Sequence, residues 1–171
     1  MSPVELAAAG LRVLLGEIAT TRGMLARLRE EIARVDPGAD ASPPREVLAL
    51  LAVDLHSWYT ALESLLARIL GAFEGSPPEG ESSHALILRA SLRPIEGVRP
   101  AVLRAELRDD LDEIGRFRHF FRHAYALELR ADRLRRALAP FAAAATGVEA
   151  DLLCFEQAVR QIVAEIDAVA R

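Results

Sequence analysis

The ten residues Arg116-Phe-Arg118-His119-Phe-Phe-Arg122-His123-Ala-Tyr125 set three arginines, two histidines and a tyrosine side by side in an otherwise plain chain. Arg beside His suits phosphodiester chemistry. A guanidinium binds phosphate and stabilises charge growing on its oxygens, while an imidazole that titrates near neutrality moves protons. Acid–base help of that kind is typically worth about 10²- to 10⁴-fold. Such chemistry requires no metal. His119 and His123 have the one-turn spacing of a zinc pair, but no acidic residue or Cys lies nearby at ligand spacing, so no metal ion is expected.

The direction of these side chains follows from the helix that must carry them. Leu103, Leu107, Leu111, Ile114, Phe117 and Phe121 recur every three or four residues, a core stripe. At about 100° per residue, Arg118, Arg122 and Tyr125 fall on one flank, roughly 80 to 140° from Phe117, and Arg116, His119 and His123 on the other. Arg118 and His123 are then about 140° apart, too far for a tight pair within one helix. They converge on one ligand only across a cleft, across a two-fold interface, or beside a neighbouring helix end. The residues alone leave a second reading open, a solvated basic face.

Around that segment the chain reads as helices. Ser2-Pro3 offers an N-cap and a first-turn proline, and the apolar period of Leu11, Leu14, Leu15, Ile18, Met24, Leu25, Leu28 and Ile32 predicts a helix ending near Val35. Ser42-Pro43 repeats the signal for a second helix ending near Phe73. Residues 74–83, rich in Pro, Gly, Ser and Glu, read as a surface loop. A short helix is expected over 84–92, a connection over 93–100, and a helix from Pro100 through the Arg/His segment. Gly147 is expected to separate two last helices, 129–145 and 148–170.

Composition agrees with an all-α bundle of four or five helices in one domain, 1–171: 51% of residues are apolar, only 5% aromatic, and β-branched runs are scarce. A net charge of −4 excludes bulk electrostatic coating of nucleic acid or anionic membrane, so any RNA contact must be local. Residues 116–136 supply that locality, with seven Arg against Glu128 and Asp132. All 21 basic residues are Arg, the better bidentate phosphate partner, although a GC-rich coding bias explains the absence of Lys as well. A lone Cys154, in Leu-Leu-Cys-Phe, excludes an intrachain disulfide and reads as a buried thiol; with no secretory signal at the start, the expected compartment is the cytoplasm. No uncharged apolar run approaches the roughly 20 residues that span a bilayer.

Arg118-x4-His123-x-Tyr125 resembles the signature of HepT-like ribonuclease toxins of the HEPN superfamily, and Arg116 satisfies its looser spacing. Leu55-His-Ser-Trp-Tyr-Thr-Ala-Leu-Glu63 is similar to the second-helix segment of that family. His84-Ala-Leu-Ile-Leu is similar to its short His-x-x-Leu-Leu segment, and Pro94-x-x-Gly-Val-Arg-Pro-Ala-Val-Leu also matches. The likeness covers roughly residues 54–136. Ser83 stands where relatives often have Trp, and Ala61 where they have Gly; the Arg, His and Tyr positions are intact.

The resemblance implies a HEPN-like up-and-down bundle that dimerises, bringing two Arg/His segments to one cleft, and cleavage of RNA without metal or other cofactor. Arg118 would hold the scissile phosphate. His123 would assist attack of the ribose 2′-hydroxyl and departure of the 5′-oxygen, leaving a cyclic phosphate. Arg116, Arg122 and His119 would be further RNA contacts. Tyr125 would be nucleotidylated by a partner nucleotidyltransferase antitoxin, adding bulk and negative charge at the cleft wall. The alternative is a non-catalytic helical module that binds such a partner; a third is a structural dimer whose Arg/His segment is a polar seam. His56, Trp58, Tyr59 and Glu63 are expected to pack and hydrogen-bond inside the bundle, and His84 to cap a helix or border the cleft.

Overall fold

The computed structural model describes residues 3–36, 38, 43–75, 83–123 and 131–169. They form α1 (Pro3–Val35), α2 (Arg45–Glu74), α3 (Ser83–Ser91), a single 3₁₀ turn (Ala105–Leu107), α4 (Arg108–His123) and α5 (Ala131–Val169). Among the described residues no strand forms; one isolated bridge joins Ile95 and Arg99.

Cross-helix partners fix the topology. Arg12, Arg22 and Arg29 of α1 meet Asp167, Glu156 and Glu149 of α5, so one number rises as the other falls and the two helices are antiparallel. Glu17 meets Arg68, while Glu31 acts on Asp54, which sets α2 antiparallel to α1. The His56 ring lies tilted against Phe121 and Glu63 pairs with Arg118, so α4 runs against α2. Leu107 lies at Gly147 and Phe120 at Arg133, so α5 runs against α4. The four long helices therefore close an up-and-down ring in the order α1, α2, α4, α5, with α3 laid on α2 and α4. Leu55, Trp58, Leu62, Leu65 and Ile69 of α2 fill its centre with Leu111 and Ile114 of α4 and Phe141, Val148 and Leu152 of α5. The Trp58 and Phe141 rings meet edge to face at 5.1 Å.

Three expectations about the helices change. The second helix begins at Arg45, after Pro44 in an extended conformation with ψ 154°. Pro43 precedes a proline and is itself steered away from the helical region, so the helix starts behind both prolines; Ser42 lies outside the described residues. The Arg/His helix begins at Arg108 instead of Pro100. The backbone amides of Val102 and Leu103 bond to the Ser91 carbonyl, and that of Arg104 to Asp151, leaving residues 100–104 as a tied connection. Leu103 reaches the core from this connection and not from the helix. Finally, α5 is one helix. Gly147 does not break it: a Cβ there would come within 2.7 Å of Leu107 Cδ2, so the glycine permits close approach of α4 and its 3₁₀ turn. Leu129 lies outside the described residues. By length and composition α5 is also apolar enough to cross a bilayer. In the bundle its Leu134, Ala137, Phe141, Ala144, Val148, Leu152 and Phe155 are buried.

The connection before α4 is locked by Arg99. Its side chain is 1% exposed, pairs with Glu74 at 2.6 Å, and donates to the carbonyls of Ala90, Arg93 and Pro100. Gly97, at φ +73°, makes the tight turn that returns Arg99 to Ile95. This knot ties the end of α2 to α3 and to the run into α4. Cys154 differs from expectation in being exposed. It borders an open groove of about 270 Å³ between the 100–104 connection and α5.

Candidate nucleic-acid cleavage site

The core stripe of α4 sets the directions of its polar residues. Leu111, Ile114 and Phe117 are buried, and Phe121 is half-buried against Phe117 and His56. Arg118 follows Phe117, and the α4 turn delivers it into the seam with α2 instead of into solvent. Its side chain is 9% exposed. Nε donates to Thr60 Oγ1 at 3.2 Å, and Nη2 lies 3.0 Å from Glu63 Oε2. The solvated-face reading therefore does not hold for Arg118. A buried guanidinium is retained only where its donors are met, and α2 meets them with a hydroxyl and a carboxylate one turn apart.

Glu63 is shared. While Oε2 faces Arg118, Oε1 contacts Nδ1 of His84 on α3, across a contact that joins three helices at one carboxylate. Tyr59, one turn before Glu63, lines the same small cavity with Leu62, Leu66, Ile87 and Leu88. Burial, with Glu63 and Asp112 adding to it and Arg118 opposing, pushes the Tyr59 phenol well above its ordinary value, so it remains a neutral O–H. Gly115 makes room for that ring: a Cβ there would lie 2.6 Å from Tyr59 Oη.

The other flank of α4 is open. His119 is exposed, and Arg116 extends into solvent from a one-turn pair with Glu113 at 2.7 Å. Arg133, at the start of α5, stands over the Phe120 ring at 4.1 Å and keeps part of the basic tract beside α4. Arg122 and His123 belong to the helical backbone of α4, and their side chains lie outside what is described; Tyr125 lies outside the described residues. Because α4 is continuous through His123, position 123 is about 140° around the helix from position 118. Among the described residues no group of three His, Cys, Asp or Glu side chains is assembled for a metal ion.

The structure thus gathers Arg118 with Thr60, Glu63, His84 and Tyr59, and sets Arg116 and His119 on a separate face. Glu63 and His84 were not assigned to Arg118 from the sequence. The available signal was the spacing of Thr60 and Glu63, which puts both on one face of α2, but spacing alone does not say which helix that face meets. The family described as HepT-like protein has a sequence model that matches residues 50–168, well over half the chain. No curated protein and no solved structure matches it.

Proposed function

We propose that this chain, which belongs to the HepT-like family, is the toxin of a bacterial toxin–antitoxin pair and a metal-independent endoribonuclease. The observation that carries the reading is the seating of Arg118, the first residue of an intact R-x4-H-x-Y run, against Thr60 and Glu63. An arginine fixed at Nε and one Nη is oriented before substrate arrives, and Nη1 bears two further N–H groups for a phosphate. Arg118 holds the scissile phosphate and offsets the charge that grows on its oxygens. His123 assists proton transfer as the 2′-hydroxyl attacks and the 5′-oxygen departs. Arg116, His119 and Arg122 contact neighbouring RNA.

Since positions 118 and 123 face apart on one helix, a homodimer that brings two α4 segments together supplies a cleft in which Arg and His converge. A cytoplasmic nucleotidyltransferase antitoxin would switch the enzyme off by adding AMP to Tyr125, placing charge and bulk where RNA phosphate must sit. The test is incubation of unmodified protein and His123→Ala with total and transfer RNA in EDTA. Cleavage by the first and none by the second is the expected result; equal cleavage by both removes His123 from the mechanism.

One observation favours the second reading, a non-catalytic module that binds a nucleotidyltransferase. Glu63 already balances the Arg118 charge, as it would in a purely structural seam. That reading expects partner binding with RNA left intact.

A further inference from the structure

We propose that His84 is a second imidazole of this site, the general base toward the ribose 2′-hydroxyl, and that Glu63 positions it; the inference rests on the ribonuclease reading above. Three observations lead to it. His84 Nδ1 and Arg118 Nη2 occupy the two oxygens of one carboxylate, so the imidazole stands beside the group that would hold phosphate. The Glu63 side chain is only 10% exposed, whereas that of His84 is 38% exposed: the carboxylate is fixed inside the bundle while the imidazole reaches the surface. Buried Ile87 and Leu88 anchor α3 against α2, which holds the ring in place.

The hydrogen bond decides the chemistry of the ring. A carboxylate only accepts, so Nδ1 carries the proton between His84 and Glu63, and the neutral imidazole keeps its free lone pair on Nε2. Nε2 is then the proton acceptor, and the carboxylate behind it both orients the ring and stabilises the imidazolium that forms. The 2′-hydroxyl that attacks lies on the nucleotide whose phosphate Arg118 would hold, so base and phosphate clamp act on adjacent atoms.

The step balances with two imidazoles. The 2′-oxygen bonds to phosphorus as its proton passes to His84 Nε2. The bond from phosphorus to the 5′-oxygen breaks as that oxygen takes a proton from a protonated His123. The products are a 2′,3′-cyclic phosphate and a 5′-hydroxyl, and proton exchange with water restores both rings. Among the described residues, the titratable and charged groups gathered with His84 are Glu63, which it contacts, Tyr59 of α2, which lines the same cavity, and Arg118 of α4 on the other Glu63 oxygen.

His84→Asn separates proton transfer from structure, because its side-chain amide nitrogen replaces Nδ1 as donor to Glu63 but has no proton-accepting nitrogen. Wild type, His84→Asn and His123→Ala would be assayed from pH 5 to 9 on an RNA oligonucleotide and on the same oligonucleotide with a 5′-thio leaving group. We expect His84→Asn to keep the melting temperature, lose about 100-fold or more in rate, and lose the acidic limb of the pH profile. The 5′-thio substrate should rescue His123→Ala and not His84→Asn. Nitrogen NMR of the ring should show the Nδ1–H tautomer. A wild-type rate with an unchanged acidic limb in His84→Asn, or an Nε2–H tautomer, overturns the inference alone. Wild-type protein that cuts neither oligonucleotide nor natural RNA overturns the ribonuclease reading and this inference with it.

Discussion

Glu63 on α2 and Arg118 on α4 form an ion pair 3.0 Å long with side chains 10% and 9% exposed. Pairs this far from water gain little over an apolar substitute, since desolvation offsets the attraction, but removing one partner strands the other. Glu63→Ala should therefore cost about 3–5 kcal/mol. A Glu63→Leu, Arg118→Met double variant should recover most of that stability and still fail to cleave RNA. Urea unfolding with a parallel cleavage assay checks both; a double variant that cleaves at the wild-type rate would reduce the pair to scaffolding.

Gly115 and Gly16 give opposite results on substitution by Ala. At Gly16, in α1, nothing lies within 4 Å of an added Cβ, so Ala should stabilise by roughly 0.5–1 kcal/mol through helix propensity. At Gly115 the Cβ meets Tyr59 Oη and Cζ at 2.6 and 2.9 Å. Displacing that ring should cost about 1–3 kcal/mol and disturb the neighbouring Glu63. Denaturant midpoints of the two variants, compared with wild type, decide whether the contact is as tight as described.

Arg99 is a structural arginine whose loss reaches the site indirectly. Arg99→Ala removes the donors to the Ala90, Arg93 and Pro100 carbonyls and the partner of Glu74. A loss of about 3 kcal/mol or more is expected. Amide exchange in α3 and over residues 100–104 should accelerate before exchange in α1 does. Uniform acceleration would mean that the knot does not hold a local unit.

Tyr59 predicts how stability changes in alkali. Its phenol ionises in the unfolded chain near the ordinary value of 10.0 but stays protonated in the fold, because burial opposes the phenolate. Above that pH the folded state binds more protons than the unfolded one, so stability falls as pH rises, by about 1.4 kcal/mol per unit, and is unaffected below it. Tyr59→Phe should lack this part of the alkaline slope. Equal slopes for the two proteins would show the phenol to be less buried than the structure has it.

Most of the helical architecture is legible because buried apolar residues recur at helical spacing, and Pro3 and the Pro43-Pro44 pair stand at or just before the first two helix starts. Val35 and Glu74 end their helices close to where the pattern fails. Sequence and structure part where a local signal serves a distant contact. Gly147 looks like a stop in sequence but accommodates Leu107, and Pro100 looks like a helix start although the backbone that follows it bonds to Ser91 and Asp151. The Arg118 position was visible in its motif; its seating on Thr60 and Glu63 was not, because a helical wheel gives direction and not the identity of the facing helix. The sequence leaves His84 either to cap a helix or to border the cleft, whereas the carboxylate it shares with Arg118 exists only once three helices are assembled.

Transfer of phosphorus to the 2′-oxygen at the Arg118 site leaves its signature in the chemistry of the product ends. Unmodified protein would be incubated in EDTA with an RNA oligonucleotide and with its counterpart carrying 2′-deoxyribose at the cleaved linkage. Expected are 2′,3′-cyclic phosphate and 5′-hydroxyl ends from the first, an uncut second, and loss of both products in Arg118→Ala. A 5′-phosphate product, or cleavage of the deoxy-substituted strand, would contradict it.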